Sequence, residues 1–548
     1  MKADLIVLAR TVHTLDGGML PVEAVAVRDG IITAVGSRED ADGWRSADTE
    51  VVDFGAGTLT PGLVDGHLHP VMALDTVRGC DLSGVQTIEQ LREALHREAA
   101  AQGPGEWVFA WGLDPTVFGP VPLHRKVIDD VLGGRPCLVR VFDAHSALAS
   151  SRALAAAGMD GPLTADADPG IVRDDTGAPT GLLLEWDAIS AVTSALPEDD
   201  FPTRRTRLKE FLWALSRAGL TAGHVMDLNK DSLELLAALE RDGELPLRLY
   251  CAPWCMPGSA EADLGAIADL VQLSGRRWSV NAVKFFIDGT IDNGTAWLSY
   301  PDVNGESAAP FWPDPSDYTK AVHYFASRGI RTATHAIGDA GIIHALDTIA
   351  SIPSSAPAVI HRIEHIETAS DEVIRRFAAA GVAASMQPTH CTHYTRADHS
   401  DNWSTRLGDG RADQAWRCRD LREVGATLVL GSDWPIAPFE PLPILADAQL
   451  RRRHDRPLEA AVGPSQALTP LQALEGYTTH AARAAGLAEV AGSITVGKRA
   501  DFTAFECDPL ATPPERLAAS RVLGTVVGGV VQFTDGPRSA VPATRGAP

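Results

Sequence analysis

Four times in its middle stretch the chain repeats one local pattern, an amphipathic run, a glycine, then a short apolar run. Residues 211–219 lead into 220–225, 318–329 into 330–335, 371–381 into 382–386, and 421–425 into 426–430. A glycine just past the last helical turn takes the left-handed conformation that other residues resist, so each unit reads as helix, stop, strand. Strands separated by a helix pair in parallel, because the crossover is long enough to return the chain to the same end of the sheet. A chain of 548 residues has room for several such units. The leading fold is therefore α/β, a (β/α)8 TIM barrel with appended pieces.

The ends of the chain have a different texture. Leu5 to Leu8, Ala24 to Val27 and Ile31 to Val35 are β-rich runs split by turns at Asp16-Gly17-Gly18 and Asp29-Gly30. Asp-Gly suits a tight hairpin with positive φ. Runs at 501–505 and 522–533 repeat the texture at the far end, so both termini are expected to pair into one small β-domain. Residues 80–187 break the helix-Gly-strand rhythm with a Pro-rich run at 118–122, a strand at 137–142 and a turn at Asp175-Thr176-Gly177. They read as an insertion over one end of the barrel, where binding loops gather.

Composition narrows the partners. Lys and Arg number 48 against 71 Asp and Glu, a formal net charge of −23. That surface repels phosphate backbones and anionic lipid, which argues against nucleic acid and membrane. Seven irregularly spaced cysteines form no disulfide framework. With neither a signal-peptide pattern nor a bilayer-length apolar run in view, a cytoplasmic protein is the expectation.

Chemistry enters at the ends of the apolar runs. The run Leu59 to Val64 continues through Asp65-Gly66 to His67-Leu68-His69. On a strand, residues i and i+2 share a face, so both imidazoles can converge on one ion. His335, His365 and Asp433 each close another apolar run, and Lys284 sits inside the run Val280 to Phe286. The C-terminal ends of parallel barrel strands open on one face, where these side chains could meet. Nitrogen and oxygen donors in this mixture suit zinc or a similar divalent ion. Burial lowers a lysine's pKa, and a neutral amine can take up carbon dioxide to become an anionic carbamate able to bridge two ions. Alternatively the Lys284 ammonium pairs with Asp288 or Asp292.

The stretches Pro61-Gly62-Leu63-Val64-Asp65-Gly66-His67-Leu68-His69, Gly431-Ser432-Asp433-Trp434-Pro435 and the run 492–501 resemble the amidohydrolase superfamily. Val283-Lys284-Phe285-Phe286-Ile287-Asp288-Gly289 and Asp143-Ala144-His145-Ser146-Ala147-Leu148 narrow the resemblance to the amidohydrolase-3 branch, with N-substituted formamide deformylase-like members. The resemblance implies a distorted barrel over 58–78 and 188–486, a composite β-sandwich from 1–57 and 487–548, and an inserted domain over 79–187 on the active-site face. It also implies a binuclear site for two divalent ions, zinc being the first choice. His67 and His69 would hold one ion, His335 and His365 the other, and Lys284, carboxylated, would bridge. Asp433 would be both ligand and catalytic proton carrier, and a metal-bridging hydroxide would attack a small-molecule amide at a non-peptide C–N bond. The resemblance extends to a homodimer or higher homo-oligomer. Two positions depart from the family pattern, Ser150 where Asn is frequent and Trp434 where a small residue is common.

His145, Glu185, Asp288, Trp111, Tyr300 and Trp434 are candidates to touch substrate, each with a structural alternative: a loop histidine, a helix cap, a structural hydrogen bond, or core aromatics. Trp297 stands with the aromatics, and His390 and His393 are read as rim or solvated residues. Two other functions compete, a mononuclear deaminase of a cyclic substrate and a non-catalytic barrel scaffold.

Overall fold

The computed structural model describes residues 2–18, 21–119, 121–159 and 170–535. Pro120 of the Pro-rich run and residues 536–548 of the C-terminal β-rich end lie outside the described residues. The chain divides into two compact units: residues 1–69, 208–434 and 438–548, and residues 70–207 with 435–437.

The first unit is organised around eight parallel strands. They are β1 (Leu63–Leu68), β2 (Leu220–Leu228), β3 (Arg248–Pro253), β4 (Ala282–Phe286), β5 (Arg331–Ala336), β6 (Arg362–His365), β7 (Ala383–Met386) and β8 (Leu428–Leu430). β1, β2 and β3 pair in that order, with the short strand Trp278–Val280 beyond β3. β4 to β8 pair consecutively in a second sheet. Parallel bridges join the two sheets at Trp254 with Lys284 and at Leu68 with Trp434. The run Val280 to Phe286, expected as one strand, is divided at Asn281, whose N–H donates to Cys251 O. The break lets the chain pair with β3 before Asn281 and with β5 after it.

The glycine stops lie where the pattern puts them. Helix Asp371–Ala380 ends on Gly381 at φ +63°, and helix Pro315–Ala326 is followed by Gly329 at φ +69°. An apolar cluster lies toward the lower, N-terminal ends of the strands. Val64, Ala222, Tyr250, Ala383 and Val429 cluster there with Ala481 and Ala484 from helix Thr479–Ala484. Where β1 runs beside β8 the backbones come very close. A Cβ on Gly66 would lie 2.6 Å from Leu430 O, and one on Gly431 would lie 2.6 Å from His67 N. Only glycine allows that approach.

The terminal strands form two sheets in the same unit. Ile31–Gly36, Ala24–Arg28, Leu5–Leu8 and Glu50–Asp53 make one. In the other, Thr58–Pro61 pairs antiparallel with Phe502–Phe505, so residues from the two ends of the chain share a ladder. Leu5, Val7, Val25, Leu59, Phe502 and Val526 bury together as their common core.

The second unit holds a six-stranded sheet in the order Ile171–Arg173, Pro179–Leu184, Ser146–Ala149, Cys137–Val141, Val108–Leu113, Cys80–Asp81. One face packs on helix Ile88–Ala101 through Leu91, Leu95 and Ala99. Ser150 caps helix Ser151–Ala156 and accepts from Cys137 N–H, a structural use of that departing position.

Candidate metal centre

β1 delivers His67 and His69 to one place because of strand alternation. Both are buried, and their Nε2 atoms lie 3.2 Å apart. Asp433 comes from just beyond β8, and its Oδ1 lies 3.0 Å from His69 Nε2 and 3.4 Å from His67 Nε2. The two segments are tied by their backbones, Asp433 N–H to His67 O at 2.7 Å and His69 N–H to Trp434 O at 2.8 Å. Asp65 reinforces this seam, since its Oδ1 accepts from the N–H groups of His67 and Ser432 at 3.0 and 3.1 Å. Burial pushes the Asp65 carboxyl up to about 7 against those hydrogen bonds.

β6 supplies Glu364 and His365 as neighbours, although adjacent strand residues should face opposite ways. The strand ends at this point, and His365 and Ile366 both take positive φ, +75° and +50°. Asp433 is also in the left-handed region, at φ +58°. Such positions cost about 1–3 kcal/mol each and persist where the surroundings hold them. The His365 ring centroid lies 4.9 Å from that of His67 and 4.5 Å from that of His335. His67, His365 and Asp433 each offer a ligand atom within 4.8 Å of the others.

Three of the rings are each set by a hydrogen-bond partner on one nitrogen. His67 Nδ1–H donates to Glu364 Oε2 at 2.6 Å, His365 Nδ1–H to Gln387 Oε1 at 2.9 Å, and His335 Nε2–H to Gly289 O at 3.1 Å. The remaining nitrogen of each ring therefore carries a lone pair rather than a proton. Glu364 is itself gripped by Arg362, whose Nε and Nη2 donate to Oε1 at 2.5 Å and Oε2 at 2.9 Å. Arg362 also donates to His224 Nδ1, Gly66 O and Ser385 Oγ. Burial works to raise the Glu364 carboxyl, but the charge of Arg362, with His67 behind it, holds it well below the usual range. Burial, then the Lys284 charge, brings His67 down to about 4, so its ring is neutral near pH 7.

Lys284 points into the same space from β4, fully buried, with Nζ 3.5 Å from His67 Nε2 and 4.9 Å above the Phe286 ring. Burial lowers its pKa to about 8, against the pull of Glu364 and Asp433. Among the described residues it forms no ion pair with Asp288 or Asp292. Asp288 instead accepts from the N–H groups of Trp297, Ile337 and Gly338 at 2.8–3.0 Å, just before helix Asp339–Ala350, which is its structural alternative.

The donor set fits a zinc-like ion. Donors about 2.0–2.1 Å from one tetrahedral ion sit about 3.3 Å from each other. The separations among His67 Nε2, His69 Nε2 and Asp433 Oδ1 are 3.0–3.4 Å. Among the described residues, Asp433 Oδ1 has no hydrogen-bond partner, despite its burial.

The other candidates are dispersed. Trp434 is buried against the edges of Phe211 and Phe439, with centroids 5.0 and 5.6 Å away. Tyr300 is 78% exposed, which removes it as a wall of a buried pocket. His145 and Glu185 pair at 2.8 Å in the second unit, where Asp143 Oδ1 also accepts from His145 N–H. Trp111 lies half-buried on Val108–Leu113 of that unit. His393 is drawn to Asp447, Nε2 to Oδ2 at 3.5 Å, while His390 is buried rather than solvated, stacked 6.1 Å from His365. Sequence reading missed Glu364, Arg362, Gln387 and Asp65. One signal was available, because Arg362 and Glu364 are charged residues two apart on a buried strand and so share a face.

Residues 50–533 match the Amidohydrolase family. The putative amidohydrolase YtcJ of Bacillus subtilis is 29% identical over 93% of this chain and 96% of its own length. The N-substituted formamide deformylase of Arthrobacter pascens is 26% identical over 97% of this chain and 98% of its own. An uncharacterized metal-dependent hydrolase from Pyrococcus horikoshii, 25% identical, superposes with a TM-score of 0.71 over 93% of this chain and 99% of its own. No helix among the described residues is long and apolar enough to cross a membrane. With the match spanning residues 50–533, nearly the whole chain, this chain belongs to the Amidohydrolase family.

Proposed function

We propose that this protein is a metal-dependent hydrolase of a non-peptide C–N bond, acting on a small amide such as an N-substituted formamide or an N-acyl amine. The observation that carries the reading is that His67, His335 and His365 each tie one ring nitrogen to an acceptor, leaving the other nitrogen a lone pair in a buried cluster with Asp433 and the low-pKa Lys284. The Arthrobacter pascens relative, named for N-substituted formamides, supports the substrate class. The eight parallel strands and the bridges between their two sheets support a closed (β/α)8 barrel, and the shared terminal ladder supports a composite β-sandwich.

His67 and His69 would hold one divalent ion, His335 and His365 a second, with Lys284 between them and Asp433 as a further ligand. When bound, such ions polarise a carbonyl as Lewis acids and bring the pKa of a water to about 7. At a pKa of about 8, a useful share of Lys284 is neutral near neutral pH. Its Nζ lone pair attacks carbon dioxide, one proton leaves to solvent, and an anionic carbamate remains. Glu364 keeps the proton of His67 on Nδ1, and Gln387 does the same for His365. Burial works to raise the Asp433 carboxyl, but His67, His69 and His365 hold it well below the usual range, so it is ionised and able to accept a proton. It then returns that proton to the leaving nitrogen.

Elemental analysis of protein purified without chelator, followed by a panel of formamides and N-acyl amines, tests this. About two zinc-like equivalents per chain with turnover of an amide is the expected result. About one equivalent with activity on cyclic amidines would replace the reading by the mononuclear deaminase. A chain that takes up no metal even with zinc and bicarbonate would end it.

A further inference from the structure

His390 has no role in the chemistry above, yet it is 6% exposed and its Nε2 is buried without a hydrogen-bond partner. Leaving such a group unmatched costs about 1–3 kcal/mol. Asp433 Oδ2 lies 3.6 Å away. Asp433 is therefore divided, with Oδ1 turned to His67 and His69 and Oδ2 turned to His390 and, at 3.8 Å, to His365 Nδ1.

The helix Pro388–Tyr394 is fixed so that His390 has little freedom to leave. Pro388 starts it, and His390 N–H donates to Gln387 O. Thr392 donates to the buried carboxylate of Asp447 at 2.8 Å, with His393 Nε2 3.5 Å from the same oxygen. The His390 ring stacks nearly parallel to His365, at 8°, and Tyr394 packs at 60° with its centroid 5.9 Å away. A single turn thus serves two inward groups, Gln387 on His365 and His390 beside Asp433.

Resting on the metal-centre reading, we propose that His390 is a positioning residue for Asp433. Its neutral Nε2–H donates to Oδ2 in the working site and so keeps Oδ1 aimed at the His67–His69 pair. The separation of 3.6 Å is too long for a formed hydrogen bond, and bonds of this kind tighten when a site is loaded.

The test uses the full chain loaded with cobalt(II), whose visible spectrum reports the ligand geometry whether or not substrate turns over. His390→Phe is expected to keep the metal stoichiometry, alter the spectrum and lower kcat by about 10–100-fold, the usual cost of losing a residue that orients a ligand, with KM within about threefold. His390→Gln, which keeps an N–H donor at similar reach, should recover the spectrum and bring kcat to within a few-fold of wild type. In an Asp433→Ala background, which leaves no side-chain oxygen to accept from His390, His390→Phe should leave the spectrum as that single variant has it. The inference is overturned by a wild-type spectrum and kcat in His390→Phe, by failure of His390→Gln to rescue, or by a spectral change from His390→Phe that persists without Asp433. A wild-type chain that binds no cobalt overturns the metal-centre reading itself, a distinguishable failure.

Discussion

The two ends of the same parallel strands obey different rules. At the lower ends, Val64, Ala222, Ala383 and Val429 meet Ala481 and Ala484 in a cluster of small apolar groups. At the upper ends, the same β1, β6 and the segment after β8 carry His67, Glu364, His365 and Asp433, all buried and all polar. That apolar cluster needs only the right volumes in the right alternation. The upper layer depends on specific partners, Glu364 for His67 and Gln387 for His365, and two of its residues leave the ordinary backbone regions to reach their places. Such a layer costs stability, and apolar burial elsewhere offsets it.

Asp433→Asn should separate the layers most sharply. Turnover should fall by at least about 10³-fold while the ion count and the melting temperature of the metal-free protein hold. Wild-type rates in that variant would remove Asp433 as the proton carrier.

Gly66→Ala attacks the seam on which the upper layer depends. The new Cβ would meet Val429 Cγ1 at 2.2 Å and Leu430 O at 2.6 Å, and the carbonyl cannot swing aside. β1 and β8 must part, so metal content and thermal stability should drop together. Retention of both would show the approach to be looser than the geometry implies.

Glu364→Gln leaves Arg362 buried without its anion and His67 with a weaker partner. Breaking a buried pair in this way costs about 3–5 kcal/mol, and metal affinity should fall by about 10–100-fold. Chelator competition and chemical denaturation measure the two effects. A stability loss with unchanged affinity would limit Glu364 to a structural role.

The smallest effect belongs to the lower layer and is read by pH. Burial, then the charge of Arg422, brings His480 down to about 3. Its folded pKa lies below the unfolded value of about 6.5, so the unfolded state binds the extra proton between those values. Stability from this group is complete above about pH 6.5 and is lost as pH falls toward 3. His480→Gln should flatten that limb in the metal-free protein by on the order of 1–3 kcal/mol without changing metal content at pH 7.5. An unaltered acid limb would mean that His361, also lowered to about 4, by burial and then Arg331, dominates there.

Much of the frame was legible before any coordinates. The glycines at 329 and 381 end helices because a left-handed turn is a local event, decided within a few residues. The same holds for the types of residue at the strand ends: His67, His69, Lys284, His335, His365 and Asp433 could be named from their runs, and the structure gathers them. The division of Val280 to Phe286 at Asn281 was not legible, because it depends on which neighbour each half pairs with. Nor was Tyr300, turned to solvent, whereas Asp288 takes the structural alternative and accepts from three backbone N–H groups.

What only the tertiary structure decided is the protonation and aim of the ligands. His67 presents Nε2 because Glu364, 297 residues away, takes Nδ1–H, and Lys284 has a low pKa because the fold removes water from around it. Residue type and local backbone are written along the chain. Tautomer, charge state and the direction of a carboxylate oxygen depend on contacts that exist only once distant strands lie side by side.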